Sequence, residues 1–361
     1  MVVKINIQGE VLPVNSGLIF QRLAAVATQH PDSLEKSLEY ELSHFPPALF
    51  ASSSCLRESQ KSQLSDSLWS MLDQPVVTLP PTLKFVLDGG SLLHKIPWKK
   101  GSSYQSIINQ YVNFVHSSYG GAVIVFDGYT QSSIKDMVHR SRNKGHVGVE
   151  ISFTLDMNLT VTKDIFLLSN KNKQHFIDMF SAELVKSGCK VIHSQSDADV
   201  LIAETTVECS KEQPTVLVAD DTDLLVLLLH KVENTCQKVF LMPQQHGKKG
   251  KMKLWCIQEA QSKLSSDILQ NILFIHAFTG CDSTSGIKGI EKSSLLKKLA
   301  GNTTLKDCAA KMSVSQVTTC VYITNHCSKG FIFSMVRTFS RTTTLPWPQE
   351  HLFLPRFKQC I

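Results

Sequence analysis

Carboxylates recur in this chain at the ends of apolar, strand-like runs. The stretch VLVADDTDLLVLLLH places Asp220, Asp221 and Asp223 beside a nearly continuous apolar segment, while Asp88 ends FVLD and Asp127 ends VIVFD. A buried charge without compensation is strongly unfavourable, so acids in such places are normally paired, hydrated or bound to a cation. The chemistry to consider is therefore that of clustered carboxylate oxygens.

Each acid on its own also has a structural explanation. Aspartate is favoured in turns and as the capping residue of a helix, which would account for Asp88 and Asp127. Asp197 and Asp199 in SDADVLIAE fall in the first turn of an expected helix, where the helix dipole favours negative charge. Asp282 follows the expected C-terminus of an apolar helix. Taken singly, none of these residues establishes a site.

As a set, the acids indicate metal binding. Gathered in one place, they would repel one another and raise each other's pKa unless cations neutralised them. Oxygen ligands without histidine or cysteine suit Mg²⁺ or Mn²⁺. Two such ions about 4 Å apart can activate a water and stabilise a leaving oxygen in phosphodiester cleavage. The set therefore predicts a two-metal carboxylate site.

The elements that must position these acids form a repeating pattern from residue 83 onwards. LKFVLDGG, AVIVFDGY, CKVIHSQSDAD and TVLVADDTD each join a short β-rich run to an acid or a polar turn, and helix-compatible segments lie between them. This alternation predicts an α/β fold with a mostly parallel central sheet and helices on both faces. In such sheets the functional crevice lies beyond the carboxyl ends of the strands, where this pattern puts its acids.

The bulk composition narrows the class of protein. A chain of 361 residues with 42% apolar content can bury a large core, and its net charge of +6 permits a polyanionic partner without requiring one. Its ten cysteines include no C-x-x-C pair, and neither a P-loop nor a G-x-S-x-G motif occurs. The longest apolar runs fall short of the roughly 20 residues of a membrane helix. With no signal peptide recognised, we expect reduced thiols, an intracellular protein and no membrane partner.

The chain also shows changes of composition that predict domain boundaries. The first 80 residues hold few strand-like runs and one plausible helix around Ser16–Thr28, and Pro80 and Pro81 oppose both helix and central strand. The expected regions are an N-terminal extension of unknown role (1–80), an α/β core that includes a helix-hairpin-like segment at 280–300 (81–300), and a helical or irregular tail (301–361).

Five motifs in the core resemble those of the flap endonuclease/XPG-type 5′-nucleases, within the wider PIN-like superfamily. They are VLDGG, VIVFDG, SDADVLIAE, ADDTDLL and TGCDSTSGIKGI, in the order of the family and spread over about residues 83–300. The resemblance implies two Mg²⁺ or Mn²⁺ ions, with Asp199 close enough to both to bridge them. It implies a first ligand group of Asp88, Asp127, Asp197 and Asp199, and a second of Asp221, Asp223 and Asp282.

The resemblance also implies basic residues that contact the substrate. Lys135, Arg140 and Arg142 in SSIKDMVHRSRNK would hold the scissile phosphate, the alternative being a solvated helix face. The GIKGI turn resembles the start of a helix-hairpin module that grips duplex phosphates through backbone N–H groups. We therefore expect nucleic-acid contacts from Gly286, Lys288 and Gly289, and from Lys248, Lys249 and Lys251.

The lysines of QQHGKKGKMK have two further interpretations. Such a stretch is typical of a solvated loop between elements, and it also resembles a weak nuclear import signal. The second interpretation favours the nucleus over the cytoplasm.

Two departures from the family pattern leave a second function open. Asp197 and Asp199 stand where the family normally carries glutamate, and Glu291 stands where its hairpin usually has glycine. We expect a divalent-metal-dependent nuclease of the flap endonuclease/XPG-like type, an endonuclease that acts on DNA rather than RNA, at branched or single-stranded elements. The alternative is a catalytically inactive PIN-like module that binds nucleic acid or protein. The sequence does not identify a protein partner.

Overall fold

The structure is a computed structural model. It describes residues 55–72, 78–128, 148–243 and 253–303 except positions 196 and 283, together with 3–7, 10–14, 50–52 and positions 18, 21, 22, 305, 306 and 309. Its strands, in chain order, are β1 (Val3–Ile7), β2 (Glu10–Val14), β3 (Phe50–Ser52), β4 (Cys55–Leu56), β5 (Lys84–Asp88), β6 (Val123–Phe126), β7 (Lys190–His193), β8 (Thr215–Val218), β9 (Val239–Met242) and β10 (Trp255–Cys256).

The helices vary from short connecting turns to long amphipathic segments. In chain order they are α1 (Ser62–Ser70), α2 (Gly89–Lys95), α3 (Tyr104–Tyr119), α4 (Lys163–Leu167), α5 (Asn170–Lys186), α6 (Asp199–Glu212), α7 (Thr222–Lys231), α8 (Ile257–Lys263), α9 (Ser266–Gln270), α10 (Ile272–Phe278) and α11 (Lys292–Gly301).

The chain divides into two units. One comprises Ser65–Leu269 and contains the main sheet, and the other comprises Met1–Leu64 with Gln270–Ile361. We call them the sheet unit and the second unit. The last part of α1 belongs to the sheet unit, where the rings of Trp69 and Trp255 meet edge-on with centroids 4.9 Å apart.

A six-stranded sheet forms the centre of the sheet unit. Its strand order is β10-β9-β8-β5-β6-β7; β5 to β9 run parallel, and β10 pairs antiparallel with β9. Every residue of β6 (VIVF) and β8 (TVLV) is buried, as expected of central parallel strands that are covered on both faces. The predicted α/β fold with a mostly parallel sheet is therefore confirmed.

The direction in which the sheet is wound determines where its helices lie. From β5 the chain moves outward through α3 to β6 and through α5 to β7, then returns through α6 to β8 on the other side of β5. Since parallel crossovers are right-handed, α3 and α5 cover one face, and α6 and α7 cover the other. The winding reverses between β5 and β8, and a crevice forms at such a switch point beyond the carboxyl ends of the strands.

Aromatic side chains fill the layer between the sheet and helices α3 and α5. Tyr104, Tyr111, Phe126, Phe176 and Phe180 are all buried there. The ring of Phe180 lies 5.8 Å from that of Phe126 in β6 and 5.1 Å from that of Tyr111 in α3. Tilted and edge-on contacts of this kind contribute about 0.5–1.5 kcal/mol each beyond area burial. This layer holds the end of β6 rigidly.

The N-terminal region contains more strand than the sequence predicts. Strands β1 and β2 form an antiparallel pair, and β3 pairs antiparallel with β4. The expectation of few strands before residue 80 is therefore wrong, since these short antiparallel pairs lack the apolar runs of the buried sheet. The expected helix around Ser16–Thr28 and the tail after residue 309 lie largely or wholly outside the described residues.

Two compositional expectations can be compared with the described part of the chain. Within it, Cys189, Cys209, Cys236, Cys256 and Cys281 are free thiols. None of the helices described there combines the length and the apolar character needed to cross a bilayer.

Two buried tyrosines of α3 give a matched test of this core. The Tyr111 hydroxyl accepts from Trp98 Nε1 at 2.9 Å and donates to the Leu93 carbonyl at 2.5 Å, whereas the buried Tyr104 hydroxyl has no hydrogen-bond partner among the described residues. Tyr111→Phe should lower the free energy of unfolding by about 1–3 kcal/mol because two buried groups lose their partner. Tyr104→Phe should be neutral or slightly stabilising. Urea denaturation of both variants checks this, and equal losses would contradict it.

Candidate metal centre

The parallel register brings the predicted acids to one edge of the sheet. Leu87 of β5 lies opposite Val218 of β8, and Asp88 lies opposite Val125 of β6. Asp127 follows β6 directly, and Asp221 begins the turn from β8 into α7. Because neighbouring parallel strands end together, these three acids lie around the switch point of the sheet.

Asp88 ends β5 and caps α2. Its Oδ1 accepts hydrogen bonds from the backbone N–H groups of Gly90 at 2.8 Å and Ser91 at 3.2 Å. Burial raises the pKa of Asp88 to about 6; the two N–H groups lower it, and the charges of Asp127 and Asp221 raise it further. A buried carboxyl group beside two other acids is harder to ionise than one in water.

Asp127 and Asp197 connect β6 to the start of α6. Asp127 Oδ1 accepts from the backbone N–H of Ala198 at 2.9 Å. Asp197 is exposed, and its Oδ1 accepts from the backbone N–H of Asp199 at 3.3 Å. These bonds fix the N-terminus of α6 beside the end of β6, so Asp199 is placed at the same edge of the sheet.

Three acids form the tightest cluster of the described residues. Asp199, Asp221 and Asp223 each offer a carboxylate oxygen within 4.8 Å of the other two, and all three are partly buried. Asp221 caps α7 by accepting from the backbone N–H of Asp223 at 3.0 Å. The N-termini of α6 and α7 therefore both face the cluster, and their dipoles favour its negative charge.

Glycines leave room around these carboxylates. A Cβ on Gly90 would lie 3.2 Å from Asp88 Oδ1 and 3.3 Å from Asp127 Oδ2, so both acids border the space where a side chain would be. A Cβ on Gly89 would come within 2.3 Å of the Phe126 ring, and one on Gly128 within 2.5 Å of the Ser194 carbonyl. The glycines after the two acids are thus required for close packing. In the sequence, the glycines of DGG and DG directly after Asp88 and Asp127 were the signal that could have predicted this close packing.

The residues fit a hard divalent cation. The donors are carboxylate oxygens, the preferred ligands of Mg²⁺ and Mn²⁺. The space beside Gly90 that Asp88 and Asp127 border, which we call the cradle, would be filled by any Cβ. The raised pKa of Asp88 reflects its burial beside other acids. A cation among these oxygens would offset both the desolvation and the repulsion. Asp199, Asp221 and Asp223 are the residues that would hold such an ion, and Asp88 and Asp127 border the space beside Gly90.

Asp282, the seventh predicted ligand, belongs to the second unit. Its Oδ2 lies 2.6 Å from Lys61 Nζ. It follows Gly280, whose φ of +98° ends α10 in the left-handed conformation expected after a helix. Its role as a ligand stays a prediction from the sequence.

The predicted phosphate-binding residues are only partly described. Lys135, Arg140, Arg142, Lys248, Lys249 and Lys251 lie outside the described residues. In the second unit, Gly286 is buried and its N–H donates to the Arg57 carbonyl at 2.9 Å, whereas Lys288 and Gly289 are exposed. The Gly286 amide is therefore engaged within the protein, and Lys288 and Gly289 are the accessible part of the turn.

The raised pKa of Asp88 predicts a pH-dependent effect of Asp88→Asn. Since the folded pKa of about 6 exceeds the ordinary 3.8, the stability that this group contributes is present below pH 3.8 and is lost as the pH rises through 6. Without divalent ions, the asparagine variant should therefore match the parent near pH 4. At pH 7 it should exceed the parent's unfolding free energy by on the order of 1–2 kcal/mol.

Chemical denaturation at both pH values measures this difference, with Asp220→Asn as the control because Asp220 is exposed beside the cluster. An advantage of Asp88→Asn that is the same at pH 4 and pH 7 would contradict the cause assigned to the shift.

No protein-family model matches this chain, and no curated protein matches it. Solved structures similar to it include the catalytic core of Rad2 in complex with DNA substrate, at 15% identity and a TM-score of 0.43, covering 83% of each chain. Another is the Holliday junction-resolving enzyme GEN1 in complex with product DNA and a Mg²⁺ ion, at 9% identity and a TM-score of 0.38, covering 84% of this chain and 59% of that one.

A T5 5′-exonuclease mutant is also similar, at 12% identity and a TM-score of 0.37, covering 64% of this chain and 77% of that one.

Proposed function

We propose that the protein is a divalent-metal-dependent nuclease that hydrolyses phosphodiester bonds. The observation that carries the proposal is the cluster of Asp199, Asp221 and Asp223, whose oxygens lie within 4.8 Å of one another beside the switch point of the sheet. Clusters of this kind are unfavourable without a cation, and oxygen-only ligands select Mg²⁺ or Mn²⁺. The motifs that supply these acids resemble those of 5′-nucleases in composition and order.

The protein contributes position and charge to the reaction. Two bound ions would polarise the phosphoryl group and activate the attacking water. Asp199 is the residue proposed to contact both ions, as the resemblance of the motifs implies. The backbone N–H groups of Gly90, Ala198 and Asp223 hold the carboxylates in fixed rotamers, so little reorganisation accompanies ion binding.

The proposed substrate is DNA with a branched or single-stranded element. The support is the resemblance of the motifs together with the basic residues predicted around them. Lys135, Arg140 and Arg142 are proposed to offset the charge that develops on the phosphate. Lys288 and Gly289, exposed in the turn before α11, are proposed to contact the phosphate backbone.

A non-catalytic module is the second candidate, and one observation favours it. Glu291 is exposed and lies at the N-cap of α11, so a negative charge stands beside the turn that is proposed to approach DNA. Repulsion between this carboxylate and a phosphate would weaken duplex binding. The two candidates differ in metal binding, since a catalytic centre gains stability from Mn²⁺ by mass action.

A cleavage assay tests the main proposal. Labelled 5′-flap, hairpin and single-stranded DNA and RNA are incubated with Mg²⁺ or Mn²⁺ and the parent, Asp223→Ala or Asp220→Ala. The parent and Asp220→Ala should cleave at least one DNA substrate. Asp223→Ala should lose activity by about two orders of magnitude or more, the size typical of removing one preorganised electrostatic group.

Thermal unfolding with and without Mn²⁺ accompanies the assay. A folded parent that cleaves no substrate and gains no stability from Mn²⁺ would exclude the catalytic proposal and leave the binding module. Cleavage of RNA alone would correct the substrate.

Gly90→Ala tests the cradle between Asp88 and Asp127. The added Cβ would occupy the space beside both oxygens, so Mn²⁺ affinity should fall by roughly tenfold, the size found when groups around metal ligands are changed. Metal-free stability should rise or stay constant, because alanine is favoured over glycine inside α2 by about 0.5–1 kcal/mol. Calorimetric titration and urea denaturation measure the two effects. A loss of stability with unchanged affinity would refute the cradle.

A further inference from the structure

A segment from the N-terminal region is bonded to the turn that carries Asp282. Within the second unit, Gly286 N–H donates to the Arg57 carbonyl at 2.9 Å, and Arg57 N–H donates to Ser285 Oγ at 3.2 Å. Ser59 Oγ donates to the Gly280 carbonyl at 2.5 Å. Residues 57–59 therefore bind the turn at both of its ends.

The same turn is fixed from the inside by a buried lysine. Lys292 of α11 is 2% exposed, and its Nζ donates to the Gly280 carbonyl at 2.6 Å and to Thr279 Oγ1 at 3.0 Å. The Gly280 carbonyl thus accepts from Lys292 and from Ser59. A Cβ on Gly280 would lie 2.6 Å from Gly286 N, so the turn closes tightly and only glycine fits there. The backbone of the turn that carries Asp282 is consequently held in one conformation.

Lys61 completes this arrangement through its side chain. It follows the bonded segment, and its carbonyl accepts from Leu64 N–H at 3.0 Å at the start of α1. Its Nζ lies 2.6 Å from Asp282 Oδ2, with the two side chains 21% and 20% exposed. The pair of Lys231 and Glu204 is more exposed, at 29% and 55%. Lower exposure reduces screening by water, so the Lys61 contact holds its carboxylate more firmly than a surface pair does.

We propose that Lys61 is a positioning residue for Asp282. By fixing Oδ2, it orients the carboxylate so that its other oxygen can act as the metal ligand that the sequence assigns to Asp282. Contacts of this kind orient carboxylate ligands and commonly set metal affinity. The inference rests on the proposed function, and it gives Lys61 a role beside Asp282 within the second unit.

The opposite role for Lys61 is that of a competitor. An ammonium group beside a carboxylate repels an incoming cation. A lysine that merely neutralises Asp282 would therefore weaken metal binding, and its removal would tighten it. The two roles predict changes of affinity with opposite signs.

The experiment compares Lys61→Met, Lys61→Arg and the parent, with Lys231→Met as the control for loss of a paired lysine elsewhere. Mn²⁺ affinity is measured by calorimetric titration, and hydrogen exchange is followed in the metal-free protein at the amides of Gly286 and Ile290. Lys61→Met should raise the Mn²⁺ dissociation constant about tenfold or more. It should also speed exchange of the turn amides. Lys61→Arg should keep the parent's Mn²⁺ affinity and exchange rates, and Lys231→Met should change neither quantity.

The outcomes separate this inference from the proposed function. If the parent binds Mn²⁺ and Lys61→Met binds it equally or more tightly, the positioning role is wrong while the metal centre stands. If Lys61→Met weakens binding and Lys61→Arg does not restore it, positioning by the charged contact is wrong as well. If the parent binds no Mn²⁺, the proposed function fails, and the inference fails with it.

Discussion

Repulsion among carboxylates at one edge of a parallel sheet is the constraint on which this structure depends. Because neighbouring parallel strands end together, acids placed at their ends cannot avoid one another. The raised pKa of Asp88 records the result, since burial and the charges of Asp127 and Asp221 all oppose its ionisation. Without a cation, the cluster of ionised carboxylates would destabilise the fold. A cation bound at this edge of the sheet would offset that repulsion.

Backbone groups supply the part of that positive potential that the chain itself can provide. Asp88, Asp127 and Asp221 each accept from a backbone N–H, and the last two bonds lie at the N-termini of α6 and α7. Such donors are fixed by the helices, so they orient the acids at little entropic cost. They do not neutralise full charges, however. The remaining charge is what a divalent ion would balance, in the space that Gly90 leaves beside Asp88 and Asp127.

The second unit uses a different device for its own acid. Asp282 is paired with a lysine side chain, and its turn is held by Ser59 from one segment and Lys292 from another. Gly280 permits this tight turn because its φ of +98° is open to glycine, and a Cβ there would lie 2.6 Å from Gly286 N. The carboxylate on this turn is therefore fixed by contacts from residues distant in the chain.

Sequence alone determined the alternation of strand and helix and the placement of acids at strand ends. Each apolar run with the acid or polar turn after it is a local signal. Strands β5, β6, β7 and β8 each coincide with one of these runs. The short pairs β1–β2 and β3–β4 had no comparable signal, because an antiparallel pair does not require a continuous apolar run.

Tertiary structure alone decided which groups meet. The cluster of Asp199, Asp221 and Asp223 depends on the register of separate strands, and the bond from Ala198 to Asp127 joins two elements that are distant in the chain. The pairing of Lys61 with Asp282 has the same origin. Motif order could indicate that the acids form a set, but distances between them follow from long-range strand pairing and packing, which no local pattern encodes.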